Sequence, residues 1–405
     1  MTTTARTTRE RARTALPWGF VVALVLVSLN LRSPFVAVAP IADVLRDELG
    51  VGAAAIGVLS SLPVLCFGVL APVALLVIRR TGAELAVVAC LLTVIAGCVV
   101  RASAGYGFAV FGTLVIGLGL TVGNVVMPVL IRRESSARQA GVMTGIYVSC
   151  MNLGSMIVTV ATVPIADAAG WRVALDTWAV MAAAVLVAWL LFLRHRSRRP
   201  ADPSQTDDEA PAAGSPWRSP IAWLVALAFA GQATSYFAVT AWLPSLLSDE
   251  IGLGAGAAGA AASVFQVCAI IGALGVPLLA LRVPNWAAIG LVGVCWLALP
   301  VQLLLAPEAY LLGSVLGGIA QGGGLAALFT VIVQVARTER ESAHLSAFVQ
   351  GVGYVVAATG PTILGLTHDT TDAWTVPVLI VLGTTLTFTV LGVWAGLTQA
   401  RHHSP

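Results

Sequence analysis

The chain has 405 residues, 58% of them hydrophobic and only 10% charged, with a mean hydropathy of +0.92. Soluble domains carry roughly 25% charged residues, so a soluble globule is excluded. All 22 cationic side chains are arginine, and without lysine the phosphate-binding loop G-x-x-x-x-G-K-[ST] cannot be written. The chain does not energise itself with ATP through that loop.

The first apolar run follows Arg6, Arg9, Arg11 and Arg13 and lacks a small-residue cleavage site, which favours a retained first helix over a removed signal peptide. Taking charge clusters and Pro/Gly breaks as boundaries, the sequence predicts twelve spans: 17–39, 52–78, 83–101, 105–131, 138–165, 173–194, 219–246, 256–281, 286–306, 309–336, 342–366 and 374–398. Each has the length needed to cross a hydrocarbon layer of about 30 Å. The expected fold is an all-α membrane protein of twelve transmembrane helices.

With the N-terminus placed in the cytoplasm, eighteen arginines fall on the cytoplasmic side and three, Arg46, Arg101 and Arg172, on the opposite face. The positive-inside rule reads that asymmetry as both termini cytoplasmic in a multi-pass protein of the cell inner (plasma) membrane. One arginine remains, Arg32, inside the first span.

Residues 196–216 are rich in Pro, Ser, Ala and acidic side chains, a composition that cannot bury a core, and are expected to form a cytoplasmic linker. This linker divides the chain into an N-terminal six-helix half, 1–195, and a C-terminal half, 217–405. Asp47 to Gly57 matches Asp249 to Gly259 at seven of eleven positions, at a constant offset of 202. A second echo pairs Arg133-Glu134-Ser135 with Arg340-Glu341-Ser342 at offset 207, and Tyr147 with Tyr354. An even number of spans per half gives a parallel repeat, the arrangement of the two halves of major facilitators.

Several segments carry a resemblance. Asn30-Leu31-Arg32-Ser33-Pro34, Gly123-Asn124-Val125-Val126-Met127-Pro128, Gly170-Trp171-Arg172-Val173-Ala174-Leu175, Ala241-Trp242-Leu243-Pro244 and Gln350-Gly351-Val352-Gly353-Tyr354 together resemble the cyanate permease and nitroimidazole transporter family of the major facilitator superfamily. That resemblance implies two six-helix halves, alternating access, and a small planar anionic or polar solute bound between the halves. The superfamily signature after the second span wants an aspartate-arginine pair before a glycine, whereas this chain reads Ile78-Arg79-Arg80-Thr81-Gly82-Ala83-Glu84. A charge latch built on that aspartate is not expected here.

Arg32 is the foremost candidate for substrate binding. It lies about 21 Å along the helix from Trp18, and a charge so placed costs about 2.5–3.5 kcal/mol on insertion scales unless it is compensated. Its planar guanidinium can donate a fork of hydrogen bonds to a small planar anion; snorkelling to the interface or bracing helix carbonyls is the alternative. Asn30 and Asn124 can bond substrate or bridge helices, and Asn30 can instead orient Arg32. Gln232 and Tyr236 share a helix face in the half-repeat region that matches Asn30 and Arg32. Gln321, embedded among glycines, can either line the cavity or merely accompany close packing, and Gln266, Gln350 and Tyr354 are weaker candidates.

The six cysteines lie in apolar runs without C-x-x-C spacing and are expected to pack rather than ligate. No catalytic residue, metal or cofactor is expected, nor a nucleic-acid partner; the partners are a small-molecule substrate and the lipid bilayer, in a monomer. No acid or histidine falls in the middle of a span, so any coupled protons must travel with substrate or use Asp43 or Asp176, near the span ends. The functional expectation is secondary active or facilitated transport of a cyanate- or nitroimidazole-like solute. The alternatives are an efflux carrier for more apolar, drug-like compounds and a membrane sensor.

Overall fold

The structure is a computed structural model that describes residues 18–134, 137–195, 216–280, 282–335 and 339–402. The predicted leader arginines and residues 196–215 of the predicted linker lie outside the described residues. Long apolar runs in which backbone groups must bond within their own segment leave helix as the only spanning form. The helices are α1 (Trp18–Asn30), α2 (Ser33–Val36), α3 (Ala42–Leu49), α4 (Ala53–Val69), α5 (Ala71–Thr81), α6 (Ala83–Ser103), α7 (Tyr106–Glu134), α8 (Ala137–Ala169) and α9 (Trp171–His195) in the first half. The second half comprises α10 (Pro220–Ile251), α11 (Ala255–Leu279), α12 (Asn285–Leu305), α13 (Tyr310–Val335), α14 (Glu339–Ala357), α15 (Thr359–Thr371) and α16 (Thr375–His402).

Eleven spans are long and apolar enough to cross a membrane, and the pair α4 and α5, bent by 61°, makes the twelfth. The first span is broken into α1, α2, a short 3-10 turn and α3, and it runs to Leu49, ten residues beyond its predicted end. The eleventh is interrupted between α14 and α15.

The repeat read from the sequence is a repeat of structure. Gly50 and Gly252, 202 positions apart, end α3 and α10 in the left-handed region at φ 63° and 71°, where a Cβ would be strained. Two residues on, Gly52 and Gly254 are the extended residues that precede α4 and α11. Packing repeats as well: α1 lies on α8 as α10 lies on α14, α4 on α7 as α11 on α13, and α6 on α9 as α12 on α16. Across the halves, α4 packs on α14 and α15, and α8 packs on α11.

The polarity of the bundle follows its solvent. Leu85, Leu92 and Val99 on α6, and Val180, Val187 and Leu191 on α9, form exposed apolar faces suited to lipid, as do Leu291 and Val294 on α12 and Val390 and Trp394 on α16. The first and seventh spans are the most buried, and they hold Ser28, Asn30, Gln232 and Ser235 inside. Trp18 and His402 stand at one end of the bundle, here the terminal end. At the opposite, far end the Asp369 carboxylate accepts the backbone amides of Ala53 (3.0 Å) and Ala54 (2.8 Å) and lies 3.8 Å from Arg46. This carboxylate on the second half therefore caps a helix of the first, where the exposed N–H groups favour a negative charge.

Candidate functional site at the broken first span

Pro34 has no amide to continue the helix, so α1 stops at Asn30 and Leu31 and Arg32 form a turn before α2. Hydroxyls satisfy carbonyls around this break: Ser33 donates to Leu29 O and Ser28 to Leu24 O, each at 2.5 Å. The turn projects Arg32 toward the centre of the bundle. From Nη1 it donates to Tyr236 Oη at 2.8 Å and to Asn152 Oδ1 at 3.2 Å, and its Cζ lies 5.0 Å from the Tyr236 ring centroid. Asn152 belongs to the first half and Tyr236 to the second, so Arg32 sits at the junction between them. Among the described residues, Nε and Nη2 of Arg32 have no protein hydrogen-bond partner.

Two packing features set this geometry. A Cβ on Gly154 would come within 2.1 Å of Leu29 O, so only glycine lets α8 approach α1 closely enough to bring Asn152 against Arg32. Asn152 is in turn oriented by its own amide, which donates to Val148 O at 3.1 Å. On the other side Tyr236 stacks on Phe265 at 6.3 Å and meets Phe237 edge-on at 4.9 Å. Tyr354 continues the aromatic wall against Phe229 and Phe67, with centroids 5.2 and 5.7 Å away. Tyr147 and Tyr354, paired by the internal echo, both lie within electrostatic reach of Arg32.

The remaining candidates divide. Asn124 is engaged on both edges, donating to Leu120 O and accepting from Tyr147 Oη at 2.9 Å, so it bridges α7 and α8. Gln232 donates to the backbone carbonyl of Gln321 at 3.3 Å and ties α10 to α13. Asn30, 1% exposed, makes no hydrogen bond to Arg32, and both of its amide atoms are buried without a partner among the described residues. The Oε1 atoms of Gln321 and Gln266 are also buried and unpartnered, while Gln266 Nε2 donates to Thr240. Gln350 bonds Ser346 on its own helix.

Two residues escaped the sequence reading. Asn152 carries a recognisable signal, a lone amide in an apolar run two positions before a glycine. Arg101, assigned by the sequence to the membrane face, is 1% exposed inside the first half and donates from Nη1 to Pro34 O at 2.5 Å. Its position near a span end concealed its burial, which depends on how α6 packs. After the second span, where the aspartate is missing, Glu84 pairs with Arg133 and thereby joins the start of α6 to the end of α7. No group of three His, Cys, Asp or Glu among the described residues is placed to hold a metal ion.

The Major Facilitator Superfamily family model matches residues 20–306. The chain belongs to the major facilitator superfamily. Among members of this superfamily, it is 30% identical over 384 residues to the 2-nitroimidazole transporter of Escherichia coli (strain K12), covering 92% of this chain and 94% of the relative. It is 25% identical over 354 residues to the cyanate transport protein CynX of the same organism, covering 85% and 88%. Among solved structures, a bacterial homologue of the human lysosomal transporter Spinster, in an inward-facing and unoccupied conformation, superposes with a TM-score of 0.77 at 14% identity, over 96% of this chain and 99% of that one. This protein is thus a multi-pass membrane transporter and not an enzyme, with twelve spans in two parallel halves.

Proposed function

We propose that this transporter carries a small, planar, anionic or strongly polar solute of the cyanate or nitroimidazole kind by alternating access, with Arg32 as its principal anion-binding group. The observation that carries this reading is the state of the guanidinium: Nη1 is held by Asn152 and Tyr236, while the Nε–Nη2 edge has no protein partner among the described residues. That edge is a planar pair of donors matched to two acceptor oxygens of a carboxylate or nitro group. The rings of Tyr236, backed by Phe265, and of Tyr354 supply the aromatic side of the site. Asn30, with both amide atoms unpartnered, and Gln321, with its Oε1 unpartnered, are buried polar groups available to a solute among the described residues, and Asn124 and Gln232 hold the surrounding helices in register.

Arg32 touches both halves, so a ligand on its free edge changes the contact on which the halves rock. The arginine distribution puts both termini in the cytoplasm of an inner-membrane protein, with residues 196–216 as the linker between halves.

Flux of 2-nitroimidazole and of cyanate into proteoliposomes, with countertransport by unlabelled solute, tests the reading. Saturable exchange that falls at least tenfold in a folded Arg32→Gln variant supports it. Unchanged flux and affinity in that variant removes Arg32 from the substrate site.

A further inference from the structure

We propose that Arg101 is a positioning residue for Arg32: it holds the broken first span in the shape that presents the free guanidinium edge. This inference rests on the reading of Arg32 as the anion-binding group.

In an uninterrupted helix the carbonyl of Pro34 would accept the amide of Val38, but here that amide goes to Phe35 O at 3.4 Å. The Pro34 carbonyl is thereby released from the backbone ladder, and Arg101 Nη1 takes it at 2.5 Å. Pro34 lies in the single turn of α2, whose N-cap is Arg32: Val36 donates to Arg32 O and Ala37 to Ser33 O, both at 3.2 Å. A hold on Pro34 therefore fixes the tilt of the turn on which Arg32 stands. No side chain caps this turn at Arg32. The Arg101 hydrogen bond is an attachment to the turn from outside its own span.

The surroundings of the guanidinium also belong to the first half. Arg101 is buried, and its Nε and Nη2 have no hydrogen-bond partner among the described residues. Asp176 on α9 lies within electrostatic reach, with a buried, unpartnered Oδ1 of its own. Arg101 thus joins α6 to the break in the first span, both in the half that carries Arg32, while Arg32 itself reaches across to Tyr236. A buried guanidinium bonded to the one released carbonyl is placed to make the break move rigidly with its half. Arg101 does not touch the proposed solute position; it acts through residues 32–34.

The test uses purified full-length protein. Arg101→Gln is expected to speed hydrogen exchange of the amides of residues 31–38 about tenfold without ligand, and to raise the Kd for 2-nitroimidazole at least fivefold. Arg101→Lys, which keeps the charge beside Asp176 and one donor for Pro34 O, is expected to fall between Arg101→Gln and wild type; it replaces Arg101→Gln in every arm if that variant does not fold. In an Arg32→Gln background the substitution at 101 should cost no further affinity, because residues acting through one another are non-additive. Equal losses in both backgrounds would make Arg101 a general stabilising residue and overturn the proposal, as would unchanged exchange at 31–38. If Arg32→Gln itself binds 2-nitroimidazole like wild type, the reading of the site fails. If Arg32→Gln is impaired but Arg101→Gln leaves exchange unaltered, the brace alone fails.

Discussion

Removing a single oxygen at Tyr236 isolates the contact that joins Arg32 to the second half. Tyr236→Phe keeps the ring stacked on Phe265 and packed on Phe237, and it leaves Asn152 bonded to Arg32. What disappears is a 2.8 Å hydrogen bond to a charged donor, an interaction worth about 1.5–3 kcal/mol. Arg32 is only partly buried and retains its second acceptor, so the lower end applies. A loss of about 1.4 kcal/mol corresponds to a tenfold rise in Kd. The measurement is solute binding by calorimetry on detergent-purified protein, with the unfolding temperature recorded in parallel. An affinity within twofold of wild type in a folded variant refutes the claim that the Tyr236 hydroxyl orders the guanidinium. The same refutation follows if Tyr236→Phe costs as much in an Arg32→Gln background as in the wild type.

Replacing Arg32 by lysine keeps the charge and loses the planar fork; transport of an anionic solute should remain near the Arg32→Gln level, and near-complete rescue by lysine would show that charge alone suffices. Asp369→Asn weakens the cap on Ala53 and Ala54, a type of contact worth about 0.5–2 kcal/mol, and should increase labelling of a cysteine at Ser61 from the far side severalfold. Asp167→Asn, 202 positions earlier and without a corresponding hydrogen bond among the described residues, is the control and should leave labelling unchanged. Gly154→Val sets side-chain carbon against Leu29 O and should abolish folded expression, measured by fluorescence-detected gel filtration. In intact cells an impermeant thiol reagent should label a cysteine at Gly105 and miss one at Trp217; the reverse pattern overturns the cytoplasmic assignment of the termini.

The amino-acid sequence by itself determined the solvent of this protein and the form of its repeat. Apolar runs of membrane-crossing length leave the backbone no other partner than its own helix, and the Asp47–Gly57 echo marks the same left-handed glycine turn that the structure holds at Gly50 and Gly252. Arg32 was legible because a charge deep in an apolar run has no inexpensive explanation. What lay out of reach was everything set by the third dimension. Asn124 and Gln232 read from sequence as cavity groups with the same standing as Tyr236, and packing engages both in helix-to-helix hydrogen bonds. Asn152 and Tyr236 are 84 positions apart, and they meet on one guanidinium because α8 and α10 both border the break in the first span. Arg101 lies near a span end, where sequence places an arginine at the interface, yet the packing of α6 buries it against a carbonyl that exists as a free acceptor because Pro34 breaks the helix. Helix periodicity reports which residues share a face, but the neighbour that each face meets is chosen by tertiary packing, and a polar side chain acquires its role from that neighbour.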